Sequence, residues 1–464
     1  MTDETRAIYQ QPMWADARDA LLDRLRGRMN LIQSYDERIE ITLAALNELC
    51  RQATADDALT HLDNEPRRRE FVEAFLSYDL IEDFLEDPTV EDIMVNALDP
   101  IHIHQTDRGL VRTDKRFRSS QELNLFVKKL IIFGGRSAVE TINDLELAGI
   151  RGRVNVVLSP LGPQITITRA KEQPLSILQL IAGGLLDEEL AAQLWMYIEG
   201  LGIRPANILI GGGPGSGKTT LLNALLSFIP RDERLVTIED TLELNTQFLG
   251  NCSRLESSRE VTMAALVKNS LRMRPDRILV GEVRGEEARD LMTAVNIGKY
   301  CMGTLHASNA RETVIRLQNE PMNVPEILVN LVDVFIVLKR IKQEHGMRRV
   351  VNDVVETAGM EQHVVLLSTV WAYDYERKET REMSPSIVCR DRLATSAGVS
   401  PLHVMREIAR RARVLKLMRQ RPELLEIGET TRFCQTYVAS PADALQELGL
   451  TLEQLDESLG IRGR

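Results

Sequence analysis

The run Gly212-Gly213-Pro214-Gly215-Ser216-Gly217-Lys218-Thr219-Thr220 constrains this chain more than any other stretch. It satisfies G-x-x-x-x-G-K-S/T at every position. Before it, Asn207-Ile208-Leu209-Ile210 reads as a buried strand; after it, Leu221-Leu222-Asn223-Ala224-Leu225-Leu226 reads as a helix. In that context glycines let successive backbone N–H groups converge on phosphate oxygens, and the helix N-terminus adds partial positive charge. Lys218 is placed for the β- and γ-phosphates of a nucleotide, and the Thr219 hydroxyl for Mg²⁺. With the lysine, the threonine and both flanks in place, the stretch predicts a nucleoside triphosphate site rather than an ordinary glycine turn.

The 464 residues exceed one typical domain, and about two to four units are expected. A hydrophobic share of 44% and a charged share of 27% are those of globular material. The net charge of −11 argues against a general nucleic-acid partner, which would favour a basic surface. The longest apolar candidate, Ile327 to Leu338, is interrupted by Asn330 and Asp333, so no transmembrane helix is expected. Met1-Thr2-Asp3-Glu4 has neither the basic nor the apolar region of a signal peptide. The five cysteines form no C-x-x-C pair, which suggests a reducing compartment and no zinc ribbon. A cytoplasmic location is the expectation.

Along the chain, residues 1–76 read as polar and helical, with Arg67-Arg68-Arg69 as a solvated face. Residues 77–170 read as a smaller α/β domain. Leu80 to Leu85 suggests a short helix, and Ile93-Met94-Val95 and Ile101-His102-Ile103 suggest strands. His102 and His104 share one strand face, read as plain surface rather than a metal site. Ser119 with Glu122 predicts a capping box opening a helix. Val154 to Leu158 and Ile165 to Thr168 read as strands around a Pro160-Leu161-Gly162-Pro163 turn. Ala170 to Pro174 is a polar linker, overlapping the start of a joining region 171–185. The nucleotide domain is expected over 186–375, and a helical region over 376–464.

Beyond the glycine loop, apolar strands alternate with helices. Strands are read at Arg234 to Ile238, ending at Glu239-Asp240; at Arg277 to Val280, ending at Gly281-Glu282; and at Cys301 to Leu305, ending at His306. Helices are read from about Thr262 to Met273 and from Glu286 to Val295. Such alternation predicts a parallel sheet, with its ligand beyond the C-terminal strand ends. The glycine loop, Glu239, Asp240, Glu282 and His306 all lie at those ends, whereas Asp276 lies at the opposite end of its strand.

Four stretches now resemble a family. Gly212–Thr220, Thr237–Leu244, Leu271–Gly285 and Gly303–Ala307 are similar to the Walker A, Asp box, Walker B and His box of the secretion-superfamily ATPases, in order and at the right spacing. These are the motors of type II and type IV secretion, Tad pili, type IV pili and archaella. Upstream, Leu85–Asn96 resembles the start of the family's N-terminal domain. Gly135-Arg136, Arg153-Val154-Asn155 and Thr166–Arg169 resemble its arginine-bearing loops. Coverage is about residues 78–375, closest to CpaF-like Tad and archaeal members, with a weaker likeness over 384–420. Lys299 and Ser308 depart from the usual second histidine and from Thr-x-His-Ala-Asn, and the tetracysteine insertion of many type II motors is absent.

The resemblance implies an α/β architecture: a RecA-like ATPase core preceded by a smaller PAS-like α/β domain and flanked by helical regions. It implies a homo-hexamer that hydrolyses ATP with Mg²⁺ and powers a pilus-like filament or protein secretion. The partner would be a polytopic platform protein, met at the cytoplasmic membrane. Glu282 takes the place of the residue that polarises the attacking water; the alternative is a helix N-terminal acid. Glu239 and Asp240, with Thr219, take the place of the Mg²⁺ holders; the alternative is a strand-end turn. His306 either senses the γ-phosphate or makes a structural hydrogen bond. Arg136, Arg153, Arg169, Arg272 and Arg284 contact nucleotide or bridge subunits, or each is a surface salt bridge. If Arg153 or Arg169 reaches the γ-phosphate, ATP closes the joint at Ala170–Pro174.

Two other classes share the core. A nucleic-acid translocase is opposed by the acidic balance, the 5% aromatic content and the paired Asp and His boxes. A nucleotide-gated scaffold without turnover is opposed by the intact Lys218, Thr219 and Glu282. No LSGGQ-like stretch supports an ABC-type ATPase. Past the core, a helix is read over 400–421, with Ser400 as N-cap and Pro401 at its first position. Arg406, Arg410, Arg411, Arg413, Lys416 and Arg419 crowd one side. That side either meets anionic lipid or an acidic loop of the platform protein, or is the solvated face of a helix packed on the core. Further capped helices are read from Ser440-Pro441 and from Thr451.

Overall fold

The computed structural model describes residues 8–9, 11–54, 57–106, 108–147, 150–169, 174–258, 260–343 and 346–461. The linker residues 170–173 lie outside them. The chain divides into a first unit, Met1–Glu172 with Thr241–Glu243, and a second, Gln173–Asp240 with Leu244–Arg464.

The first unit is built on an antiparallel sheet. Its strands are β1 (Val90–Asn96), β2 (His102–Gln105), β3 (Gly109–Arg112), β4 (Ile142–Leu147), β5 (Ile150–Ser159) and β6 (Gly162–Arg169), in the order β3-β2-β1-β6-β5-β4. Alternate residues such as Ile93 and Val95, Val154 and Val156, Ile165 and Ile167 are buried, the period expected of a sheet with one covered face. The helix Ser120–Phe133 shares that core with the helices Ala15–Leu25, Tyr35–Gln52 and Glu65–Leu76. A buried ion cluster pins the helical layer: Asp79 accepts from Arg18 at 2.7 Å and from Lys129 at 2.9 Å. Burial pushes the Lys129 ammonium down to about 8, although Asp79 pulls the other way. Only half of the expected capping box forms. Ser119 Oγ accepts the Glu122 N–H, but the Glu122 carboxylate takes the N–H of Arg118 instead of that of Ser119. Arg67 and Arg69 pair with Asp63 and Glu73, as a solvated face should.

The second unit carries a nine-stranded sheet: β7 (Ile208–Gly212), β8 (Leu235–Glu239), β9 (Cys252–Glu256), β10 (Arg277–Val280), β11 (Tyr300–Leu305), β12 (Val334–Gln343), β13 (Gly346–Glu361), β14 (Val364–Asp374) and β15 (Glu379–Glu382). Their order is β15-β14-β13-β12-β7-β11-β10-β8-β9. The strands from β12 to β9 in that order run parallel. Those of β12 to β15 run antiparallel. The parallel strands β7, β8 and β10 are buried on both faces, which is why they read as apolar runs. Strand alternation splits them between two cores. Ile208, Ile210, Leu279 and Ile336 point into one, with the helix Glu188–Glu199 and the C-terminal helices. Leu209, Ile278, Val280 and Phe335 point into the other, with the helices Met263–Ser270, Glu287–Asn296 and Ala310–Gln318.

The antiparallel half of this sheet is absent from the sequence reading. The continuous run of β12 has no period to betray it, and β13 is broken by irregular register at Val354/Val355 and at Thr357/Gly359. As a result the sheet extends past residue 375, to β15.

The basic helix resolves to Pro401–Met418, capped by Ser400, and it packs against Glu188–Glu199. Three of the six cations read on it are paired with carboxylates, and of these Arg419 stays exposed. Arg411 is 3% exposed and pairs with Glu199, Arg410 pairs with Asp456, and Arg419 pairs with Glu188. Ser440 and Thr451 cap the following helices as expected.

A second buried network locks the C-terminal region to the sheet. Glu356 of β13 is fully buried; it accepts from the Tyr197 hydroxyl at 2.7 Å, from Ser386 Oγ, and from the N–H groups of Val388 and Cys389 at 3.1 and 3.2 Å. Those amides are orphan donors of a helix start, which a carboxylate satisfies. Glu356→Ala strands several buried donors, each costing about 1–3 kcal/mol. A clear fall in the thermal midpoint is expected; an unchanged midpoint would show that the network adds no stability.

Candidate active site

The candidate site is assembled at the C-terminal ends of β7, β8, β10 and β11. At the first of these, the chain leaves β7 through Gly213–Gly217 and enters the helix Lys218–Leu225. Gly215 and Gly217 have φ of +67° and +96°, a region that favours glycine. Gly212 is held by space instead: a Cβ there would lie 2.4 Å from Ser216 Oγ. Lys218 is buried and its Nζ donates to the carbonyls of Gly212 and Gly213 at 3.0 and 3.2 Å. Ser216 is 2% exposed, and its Oγ has no hydrogen-bond partner among the described residues. Thr219 and Thr220 open the helix, with Thr219 half-buried. A buried orphan hydroxyl, a lysine turned onto the loop and glycines without strain are what a polyphosphate cradle requires.

The acidic strand ends lie beside one another. Glu239, at the end of β8, is 3% exposed, and its Oε1 accepts the Leu244 N–H at 3.0 Å. A Cβ at Gly281 would come within 2.9 Å of Glu239 Cγ, so a glycine at the end of β10 lets the two strand ends close up. Asp240 is exposed; it accepts from Ser257 at 2.8 Å and lies 3.9 Å from Arg284.

Glu282 follows β10. Its Oε2 accepts from Arg284 at 2.6 Å, and its Oε1 lies 2.8 Å from His306 Nε2. The latter is an ion-pair distance once the imidazole is protonated, though off the line of a ring N–H hydrogen bond. Burial pushes the Glu282 carboxyl up, but Arg284, then His306 and Lys218, more than offset it and hold it below its ordinary value. His306 is positioned by a zipper between β11 and the exit of β10. Thr304 Oγ1 donates to Gly281 O at 2.6 Å, and Val283 N donates to Thr304 O at 2.7 Å. The helix-start carboxylate is a different residue: Glu287 Oε1 accepts the N–H groups of Arg284 and Gly285 at 2.5 and 2.7 Å. Glu282 is therefore free of that structural duty.

The structure thus brings Gly212–Thr220, Glu239, Asp240, Glu282, Arg284 and His306 to one sheet edge. Arg272 is elsewhere. It sits in the turn Leu271–Met273 before β10, whose Met273 carbonyl accepts from Arg234 at the start of β8, the opposite end of the sheet. Asp276, which accepts the Arg234 N–H, shares that end. Arg136, Arg153 and Arg169 belong to the first unit. There Arg153 lies 3.2 Å from Asp144, and Arg169 donates to the carbonyls of Asp87 and Val90. Arg136 is exposed.

Sequence reading missed two residues here, Arg340 of β12 and Arg349 of β13. Arg349 Nε donates to Gly215 O at 3.0 Å, and a Cβ on Gly215 would lie 3.5 Å from Arg340 Nη1. Recognising β12 and β13 as a hairpin would have exposed them as partners.

Comparison with known proteins finds a family and several relatives. The family model described as type II/IV secretion system protein matches residues 76–352, more than half of the chain. An uncharacterised protein of Methanocaldococcus jannaschii is 32% identical over 348 residues, covering 72% of this chain and 62% of that relative, so the match spans less than two thirds of its length. The conjugal transfer protein TrbB of Rhizobium radiobacter is 30% identical over 286 residues, 58% of this chain and 85% of TrbB. Among solved structures, the Legionella pneumophila ATPase DotB aligns with a TM-score of 0.46 at 22% identity, over 77% of this chain and 93% of that one. From the match over residues 76–352, the chain belongs to the type II/IV secretion system protein family.

Proposed function

We propose that this chain is a RecA-like ATPase that converts ATP hydrolysis into mechanical work for a secretion or pilus-type machine. The observation that carries the reading is the convergence of the glycine loop, Lys218, Glu239, Glu282 and His306 on one edge of a parallel sheet. Loop amides and Lys218 bind the phosphates. Thr219, Glu239 and Asp240 would hold Mg²⁺, which when bound supplies positive charge to the phosphate oxygens. Glu282, ionised and flanked by Arg284 and His306, orients the attacking water and accepts its proton. Arg284 and His306 are close enough to relay a change at the phosphates to that carboxylate.

The family reading extends the proposal to a homo-hexamer acting on a polytopic platform protein at the cytoplasmic face of a membrane, with the first unit as its PAS-like domain. No described helix is long and apolar enough to cross a membrane. Nucleotide at subunit boundaries links binding to association. The test is phosphate release by the purified chain, with its mass measured with and without a non-hydrolysable ATP analogue. Release with Mg²⁺ and ATP, and assembly promoted by the analogue, are expected. Lys218→Ala should abolish binding of the analogue. A monomer at every concentration, or analogue binding unaffected by Lys218→Ala, would sink the proposal.

A further inference from the structure

Resting on the nucleotide reading above, we infer that Arg340 and Arg349 form a second cationic contact for the phosphate chain of the bound nucleotide, and that Arg349 also sets the shape of the glycine loop. The topology makes the pair. β12 runs parallel beside β7 with Leu338 opposite Gly212, so its next residues continue alongside the loop that leaves β7. β13 returns antiparallel with Arg349 directly opposite Arg340. Direct partners in an antiparallel ladder project from the same face, with Cβ atoms about 5 Å apart, where like charges destabilise. The sheet nevertheless places two guanidiniums there. Neither has a carboxylate partner among the described residues, and both are exposed. Both side chains lie against the loop: Arg349 bonds the Gly215 carbonyl, and a Cβ on Gly217 would lie 3.5 Å from Arg349 Cδ.

An anion shared between the two forks relieves their repulsion, and guanidinium is suited to a phosphate because it offers paired N–H donors in one plane. Arg349 engages the loop through Nε, which leaves its Nη groups for the ligand. Lys218 approaches the same loop through the Gly212 and Gly213 carbonyls, so the phosphate chain would be held by three cations from β12, β13 and the helix start. Arg349 acts as a positioning residue through Gly215, and Arg340 as a direct phosphate contact.

The test is equilibrium binding of a fluorescent ATP analogue and of the matching adenosine analogue to the full chain. It uses wild type, Lys218→Ala, Arg340→Ala/Arg349→Ala and Arg349→Lys, each checked by circular dichroism. The double variant should bind the ATP analogue about 10²-fold more weakly, about tenfold per charge-assisted contact. Its affinity should also depend less on salt, with the adenosine analogue unaffected. Arg349→Lys keeps the charge but loses the Nε donor, so the salt dependence should persist while affinity falls. If the double variant is misfolded, Arg340→Gln and Arg349→Gln singly replace it. Wild type that binds while Lys218→Ala does not, with unchanged affinity in the arginine variants, would overturn the inference alone. An equal loss for both analogues would also overturn it, since the contact would then be to the nucleoside. Wild type that binds no ATP analogue would overturn the nucleotide reading instead.

Discussion

Glu282→Gln should bind ATP and hydrolyse it at least ~10²-fold more slowly, the usual range for losing acid–base assistance. The change keeps the shape of the side chain and removes its charge. It leaves the loop and Lys218 intact, so affinity for the analogue should hold. The surroundings support a carboxylate that is always ionised at working pH: Arg284 at 2.6 Å and His306 at 2.8 Å outweigh the cost of burial. Because the shift is downward, Glu282 is ionised at neutrality and reaches half-protonation only below the ordinary value of 4.5. The pH profile of turnover should therefore show no acid limb from Glu282 between neutrality and that value. A carboxylate held below its ordinary value is a weaker base for it, which suits orienting and polarising the water, with its proton taken late. Single-turnover phosphate release on wild type and Glu282→Gln decides the matter. Near-normal release from the variant would remove Glu282 from the chemistry.

Arg411→Ala should destabilise the second unit by about 3–5 kcal/mol. Arg411 pairs with Glu199 at 2.7 Å and Glu407 at 3.2 Å, and its guanidinium lies 4.9 Å from the Trp195 ring. Trp195 in turn stacks on Phe228 at 5.1 Å and touches Tyr437. Burial pushes the Arg411 guanidinium down, and Glu199 and then Glu407 more than restore it. Alanine would leave the buried Glu199 carboxylate without its cation, with the Leu201 N–H at 3.1 Å still donating to it. Removing both partners in Arg411→Met/Glu199→Met should recover much of the loss, because an apolar pair needs no compensation. Thermal midpoints of the wild type, the single variant and the double variant test this. A single variant as stable as wild type would show that the pair is idle.

The glycine loop, the acidic ends of β8 and β10 and the parallel direction of the core strands were legible in the residues themselves. Phosphate chemistry needs glycines and a lysine at fixed local spacing, and strands buried on both faces announce themselves as apolar runs. Glu239, Glu282 and His306 could be named because each follows such a run directly. The sequence left open whether Glu282 or another acid served the helix start, and only the fold assigned that duty to Glu287. Local order also could not show that the basic helix turns Arg411 inward onto Glu199, since a stripe of arginines looks the same whether its partners are solvent or carboxylates more than 200 positions away. Arg340 and Arg349 were hidden for a related reason. Their meeting at Gly215 depends on the register of β12 beside β7 and of β13 beside β12, and register between distant strands is set by tertiary packing rather than by any local pattern.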